Sequence, residues 1–265
     1  MSFDPPASLK YETRGGICYI TINRPEAMNA LNLEVQGALP LAIEEFESDL
    51  SLYVGVITGE GGRAFSAGGD LKEMATYVGT DDNPMRRAGR AARPGIQAGG
   101  ARKPLIAAID GYAFAGGCEL ALGCDIRIAT RKSQFAIPEV KRSIIAGPGI
   151  THLPRMIPQG EALLMALTGD PITAERAYQV GLIQGLAEDR DELFEKVDKI
   201  AATIANNPPL AVQDVKRIVK LGVNMPIEYA VAFRDKYSDV ILQTEDAKEG
   251  PAAFAEKRAP VWKSR

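Results

Sequence analysis

Hydrophobic and polar positions fall into two regimes along the chain. In the first half, short apolar runs alternate with amphipathic stretches. Ile17-Cys18-Tyr19-Ile20-Thr21-Ile22 is rich in β-branched and aromatic residues and reads as a strand ended by Asn23-Arg24-Pro25. A helical pattern follows over about 32–48, and a second strand over 52–58 stops at Gly59-Glu60-Gly61-Gly62. Residues 105–109 predict a third strand stopped by Asp110-Gly111, 126–129 a fourth and 134–136 a short fifth. Strands alternating with helices predict an α/β domain with buried parallel strands. From about residue 155 strand signals nearly vanish, and 161–168, 174–180, 191–206, 210–221 and 227–242 all have helical composition.

Composition narrows the classes. A chain of 265 residues, 46% hydrophobic and 25% charged, is ordinary for a globular protein. The net charge of −3 argues against general affinity for nucleic acid or anionic membrane. No apolar run reaches the roughly 18 residues of a membrane span, and Met1-Ser2-Phe3-Asp4-Pro5-Pro6 lacks the basic and apolar regions of a signal peptide. A cytoplasmic location is therefore expected. Cys18, Cys118 and Cys124 are too few for a disulfide framework, and one histidine, His152, disfavours a His-rich metal site or a Ser-His-Asp triad. The segment 81–103 carries Arg86, Arg87, Arg90, Arg93, Arg102 and Lys103 among Gly and Pro. It reads either as a solvated surface segment or as a basic rim facing an anionic ligand.

Candidate chemistry lies in two glycine runs and two glutamates. Ala67-Gly68-Gly69-Asp70-Leu71 follows a strand and precedes a predicted helix over 71–77. Ala113-Phe114-Ala115-Gly116-Gly117-Cys118-Glu119 repeats the design, with a helix starting near Gly116. Such turns expose unpaired N–H groups, and a helix N-terminus favours a developing negative charge. Gly116 and Glu119 are three residues apart and share a helix face. Glu139 follows Ile137-Pro138. Two carboxylates in one pocket can divide acid and base roles. Asp70 also suits a helix cap, Cys118 and Cys124 suit core packing, and His152 a structural role. The phosphate loop, the dinucleotide fingerprint and the nucleophile elbow are absent from the sequence.

The chain resembles the crotonase, or enoyl-CoA hydratase/isomerase, superfamily over nearly its whole length. The resemblance rests on Asn23-Arg24-Pro25-Glu26-Ala27-Met28-Asn29-Ala30-Leu31, Phe65-Ser66-Ala67-Gly68-Gly69-Asp70-Leu71, Gly111 to Ala121, Phe135-Ala136-Ile137-Pro138-Glu139-Val140 and Phe254-Ala255-Glu256-Lys257-Arg258. It implies a spiral of ββα turns over 1–200 followed by a helical trimerisation region over 201–265, assembled as a trimer or a dimer of trimers. It implies an acyl-CoA thioester as substrate, with coenzyme A part of that substrate and no metal or redox cofactor. Gly69 and Gly116 would supply two oxyanion N–H groups. Ala27 and Met28 would help form the adenine site, Ala67, Asp70 and Leu71 would line the CoA path, and Phe254 and Lys257 would sit near CoA, across a subunit boundary in one version.

Glu119 and Glu139 fall on the two glutamate positions of the superfamily's hydratases, which implies addition of water to a trans-2-enoyl-CoA. Another reaction of the superfamily, isomerisation or a carnitinyl-CoA-type dehydration, is the first alternative. A non-catalytic acyl-CoA-binding protein is the second. The run Lys141 to Gly149 departs from the pattern of the best-known hydratases.

Overall fold

The computed structural model describes residues 3–77 and 100–264. Its larger sheet has six strands in the order β1-β2-β3-β5-β7-β10. These are β1 (Leu9–Arg14), β2 (Ile17–Ile22), β3 (Val54–Gly59), β5 (Leu105–Ile109), β7 (Ile126–Thr130) and β10 (Gly185–Ala187). β1 and β2 form an antiparallel pair, and the remaining neighbours are parallel. β2, β3 and β5 are buried along their whole length, which is why their sequences are continuous apolar runs. Alternate residues serve two cores. Cys18, Ile20, Ile22, Ile57, Ala107 and Ile109 face one cluster, and Ile17, Tyr19, Val54, Val56, Ile106 and Ala108 face the other.

Helix α1 (Leu33–Ser48) closes the first cluster with Val35, Ala38, Leu39, Ala42, Ile43 and Phe46. That spacing is one face of a 3.6-residue period. The Asn32 side chain accepts from the Val35 N–H at 3.0 Å and starts the helix. The second cluster is closed by Leu193, Val197 and Ala201 of a helix spanning Arg190–Ala205.

A smaller sheet holds β4 (Ala64–Ser66), β6 (Tyr112–Phe114), β8 (Gln134–Ala136) and β9 (Ile172–Thr173), with β4, β6 and β8 parallel. The chain thus steps from large sheet to small sheet three times, β3 to β4, β5 to β6 and β7 to β8. Helical turns follow each step: α2 (Leu71–Met74), α3 (Gly116–Gly123) and a 3-10 turn over Pro138–Arg142. The repeat is a spiral of ββα turns. Its corners are tied by buried polar groups. Asp110, 1% exposed, accepts from the Thr130 hydroxyl at 3.0 Å and pairs with Lys132 and Arg190. The Gly111 N–H donates to the Ser133 hydroxyl at 3.0 Å.

The C-terminal half is helical: α4 (Pro148–Met156), α5 (Gln159–Thr168), α6 (Ala174–Gln179), α7 (Arg190–Ala205), α8 (Pro209–Gly222), α9 (Ile227–Ile241) and α10 (Glu245–Ala255). α7 runs across residue 200 with its apolar face in the core. α8 buries only Pro209 and α9 buries no residue, and Val219, Val223, Ile227, Tyr229 and Leu242 stand exposed on and beside them. Lys216 and Lys220 pin α8 to the core through Asp125, at 2.7 and 2.6 Å. No helix of the described residues is long and apolar enough to cross a membrane.

Candidate active site

Parallel pairing of β4, β6 and β8 lays three chain segments side by side where these strands end. Gly68 and Gly69 leave β4, Ala115 and Gly116 leave β6, and Pro138 and Glu139 leave β8. The first two segments touch. An ideal Cβ on Gly68 would lie 2.6 Å from Ala115 Cβ and 2.8 Å from the Phe114 carbonyl oxygen, and Gly68 has φ +90°. Only glycine fits that crossing. A Cβ on Gly117 would meet the Ser66 carbonyl oxygen at 2.2 Å, so the start of α3 also rests on bare backbone.

This contact brings two amides together. A Cβ on Gly116 would lie 3.7 Å from the Gly69 nitrogen. Neither the Gly69 nor the Gly116 N–H donates to an acceptor among the described residues. Gly116 opens α3, where an N–H has no intrahelical partner. Around Gly69, a bridge to Leu31 uses the Gly68 carbonyl, at 2.8 Å, and the Asp70 N–H, at 3.3 Å, and leaves Gly69's own N–H over. Ala115, just before Gly116, has φ 51° and ψ −127°, a conformation costing about 1–3 kcal/mol for a residue with a Cβ. The Ala115 N–H donates to the Ala136 carbonyl at 3.0 Å and holds it there.

Two carboxylates flank the amides. Glu119, on α3, is 6% exposed, and its Oε1 accepts the Gly149 N–H of α4 at 2.9 Å. Glu139 is half-buried on the 3-10 turn, and its Oε2 is buried without a hydrogen-bond partner among the described residues. Burial lifts the Glu139 carboxyl above the usual glutamate range, and the nearby Glu119 pushes the same way. Its own backbone N–H and Arg142 pull it down less. A buried, unpartnered, raised carboxylate in a cleft is a mark of a reactive site.

Gly69, Ala115, Gly116, Glu119 and Glu139 line one cavity of about 1180 Å3. Of the sequence-predicted residues, Gly69, Gly116, Glu119, Glu139, Ala27, Met28, Ala67, Asp70 and Leu71 line it. The 27–31 loop reaches it through a left-handed pair, Met28 and Asn29, with φ 55° and 53°. Asn29 is fully buried. It accepts from the Arg24 N–H at 2.9 Å and donates to the Glu60 and Ala64 carbonyls at 2.9 and 2.7 Å. Asp70 does cap a helix, accepting from the Lys72 and Glu73 N–H groups, and also pairs with Arg24 at 3.1 Å. Burial raises its carboxyl, but Arg24 and these amides outweigh it and hold Asp70 below the usual range.

Phe254 and Lys257 are not part of the cavity in this chain. Phe254 is 88% exposed at the end of α10. Arg86, Arg87, Arg90 and Arg93 lie outside the described residues. The other two cations of that segment do not form a free basic rim. Lys103 is buried and donates to the Phe46 and Asp49 carbonyls at 2.8 and 2.6 Å, while Arg102 pairs with Glu47 at 3.5 Å. Cys118 and Cys124 are core residues. His152 Nδ1 lies 2.8 Å from the Pro148 carbonyl within α4. Sequence reasoning missed three residues that shape the site: Gly149, Ala115 and Asn29. Asn29 and Ala115 sat inside recognised motifs without a role, and Gly149 sat in a run that read only as a departure.

Comparison with known proteins agrees with this architecture. A family described as enoyl-CoA hydratase/isomerase matches residues 12–265. The chain is 38% identical over 253 residues to an (E)-benzylidenesuccinyl-CoA hydratase of Thauera aromatica, covering 95% of this chain and 97% of that one. It is 37% identical over 265 residues to a carnitinyl-CoA dehydratase of Salmonella typhi, covering 97% and 99%. It superposes on a crystal structure of an enoyl-CoA hydratase from Mycobacterium tuberculosis H37Rv with a TM-score of 0.87 and 41% identity, covering 98% and 100%.

Proposed function

Because the chain belongs to the enoyl-CoA hydratase/isomerase family, we propose that it hydrates the 2,3 double bond of a trans-2-enoyl-CoA. One observation carries this reading: two backbone N–H groups without a partner among the described residues and two carboxylates, Glu119 and Glu139, open into one cavity.

In this reading the thioester oxygen sits between the Gly69 and Gly116 N–H groups. The α3 dipole at Gly116 adds to their pull on negative charge. Losing one such donor typically costs about 3 kcal/mol of barrier. Glu139 takes a proton from water as the oxygen bonds to the β-carbon, and the double-bond electrons move to the thioester oxygen as an enolate. Glu139 then returns a proton to the α-carbon. Glu119, held at Oε1 by Gly149, keeps Oε2 for orienting the water and shares the acid–base work. The reverse path uses the same groups, so hydration and dehydration are two directions of one chemistry. Ala27 and Met28 help form the adenine site, and Ala67, Asp70 and Leu71 line the CoA path. Phe254 and Lys257 reach a neighbouring subunit's CoA in a trimer or dimer of trimers, which would also cover the exposed apolar side chains of α8 and α9.

The test is the loss of enoyl-thioester absorbance with crotonyl-CoA, beside Glu139→Gln. Rapid loss that collapses in the variant, with CoA binding retained, is expected. Wild-type turnover in the variant excludes Glu139 as the base, and conversion only of 3-enoyl to 2-enoyl thioesters makes the protein an isomerase.

A further inference from the structure

The wall that carries Glu139 also carries a cation. Glu139 and Arg142 stand three residues apart on the 3-10 turn Pro138–Arg142. In that geometry side chains at i and i+3 eclipse, and both residues line the cavity. Arg142 is exposed and makes no hydrogen bond or close ion pair among the described residues, and its charge acts on the neighbouring Glu139 carboxylate. Its neighbour Lys141 pairs with Asp170 at 2.5 Å and the cavity's Arg24 with Asp70 at 3.1 Å. Past Arg142 the wall is apolar, formed by Ile144, Ile145 and Ala146.

Strand order gives this cation a place relative to the substrate. β6 lies between β4 and β8, so Gly116 lies between the 67–71 rim and the 139–142 turn. A thioester held at Gly69 and Gly116, with its CoA along the 67–71 rim, points the far part of its acyl group toward Arg142. Glu139 meets the β-carbon first, and Arg142 comes next along the turn. A guanidinium there fits a carboxylate, which it can grip through two parallel N–H donors. A cationic acyl end finds no matching partner at this position.

We propose that Arg142 recognises a second carboxylate at the far end of the acyl group, making the preferred substrates CoA monothioesters of dicarboxylic acids. The inference rests on the orientation assigned under the proposed function, and its test does not require turnover. Glutaryl-CoA and adipoyl-CoA are saturated and cannot be hydrated, and pentanoyl-CoA and hexanoyl-CoA match them in carbon number. Calorimetric titration of the full-length protein and of Arg142→Gln and Arg142→Lys with these four compounds compares affinity within each pair. The wild type should bind the carboxylated member about 10-fold or more tightly, as a charge-assisted hydrogen bond implies. The preference should vanish in Arg142→Gln and return in part in Arg142→Lys.

Equal affinity within both pairs for the wild type overturns the proposal, as does a preference that survives in Arg142→Gln. A preference that depends on Arg142 in a protein that hydrates no enoyl-CoA would sustain this inference and sink the hydratase reading alone.

Discussion

Gly149→Ala isolates the placement of Glu119 from its presence. Gly149 is the second residue of α4 with ordinary helical backbone, so alanine there gains at most the roughly 1 kcal/mol of propensity seen in helix interiors. The added Cβ would lie 2.9 Å from Ile137 Cδ1, 3.1 Å from Glu119 Oε1 and 3.2 Å from Glu119 Cγ. Ordinary carbon contacts are about 3.5–4.0 Å, so something must move. Ile137 is 2% exposed and fixed in the core, whereas Glu119 borders the cavity and has room. The carboxylate therefore swings away, and its 2.9 Å bond from the Gly149 N–H is lost. A hydrogen bond to a charged group contributes about 1.5–3 kcal/mol, which corresponds to a fall of about 10–150-fold in kcat. KM should change little, because the CoA rim is untouched. Crotonyl-CoA hydration gives the kinetics, and thermal unfolding gives the stability, which should shift by only a few degrees as helix gain offsets crowding. Wild-type kcat in a folded variant would refute the argument that Gly149 positions Glu119 for the reaction.

Further predictions follow from the same geometry. Ala115→Gly removes the left-handed strain before Gly116 and should raise Tm by roughly 2–4 °C per kcal/mol released, while looser placement of the Gly116 N–H lowers kcat. Asn29→Ala leaves the buried Ala64 carbonyl unpaired, at about 1–3 kcal/mol, and removes the partner of the partly buried Glu60 carbonyl and Arg24 N–H; a Tm equal to that of wild type would contradict that account. The acid limb of kcat/KM should lie above the ordinary glutamate range, because activity needs ionised Glu139 and burial raises its carboxyl. Arg142→Gln should move that limb to higher pH, since Arg142 favours the ionised form. A carboxyl raised in the folded state gives stability that is complete below its unfolded pKa and lost as pH rises through the folded value. Glu139→Gln should therefore raise Tm near neutral pH, with a gain that shrinks as pH falls below the glutamate range.

Much of the fold was legible along the chain, and the reason differs by element. The central strands of the large sheet are buried on both faces, so they had to be continuous apolar runs, and Ile17–Ile22 and Leu105–Ile109 appear where the pattern placed them, as does Gln134–Ala136 in the small sheet. The long helices announce themselves by their 3.6-residue period and start within a residue or two of expectation. Strands β4 and β6 went unread. Ala64–Ser66 and Tyr112–Phe114 are three residues each, too short for any periodicity, and are strands only because they pair. α4 was hidden by Pro148 and Pro154, and α10 by Gly250 and Pro251 inside its span.

The sequence by itself determined the glycine turns, the helix that puts Gly116 and Glu119 on one face, and the motifs that mark the family, because these depend on neighbours within a few residues. It did not determine that residues 69, 116 and 139 would meet. That follows from the parallel register of β4, β6 and β8, a choice made by burial across the whole spiral. Nor could it show that a glycine 30 residues from Glu119 would hold its carboxylate, or that Lys103 would be spent on the Phe46 and Asp49 carbonyls while Arg142 stood beside Glu139 on the cavity wall. A side chain's neighbours across sheets and helices decide which charges are compensated, and only the packed structure brings those neighbours together.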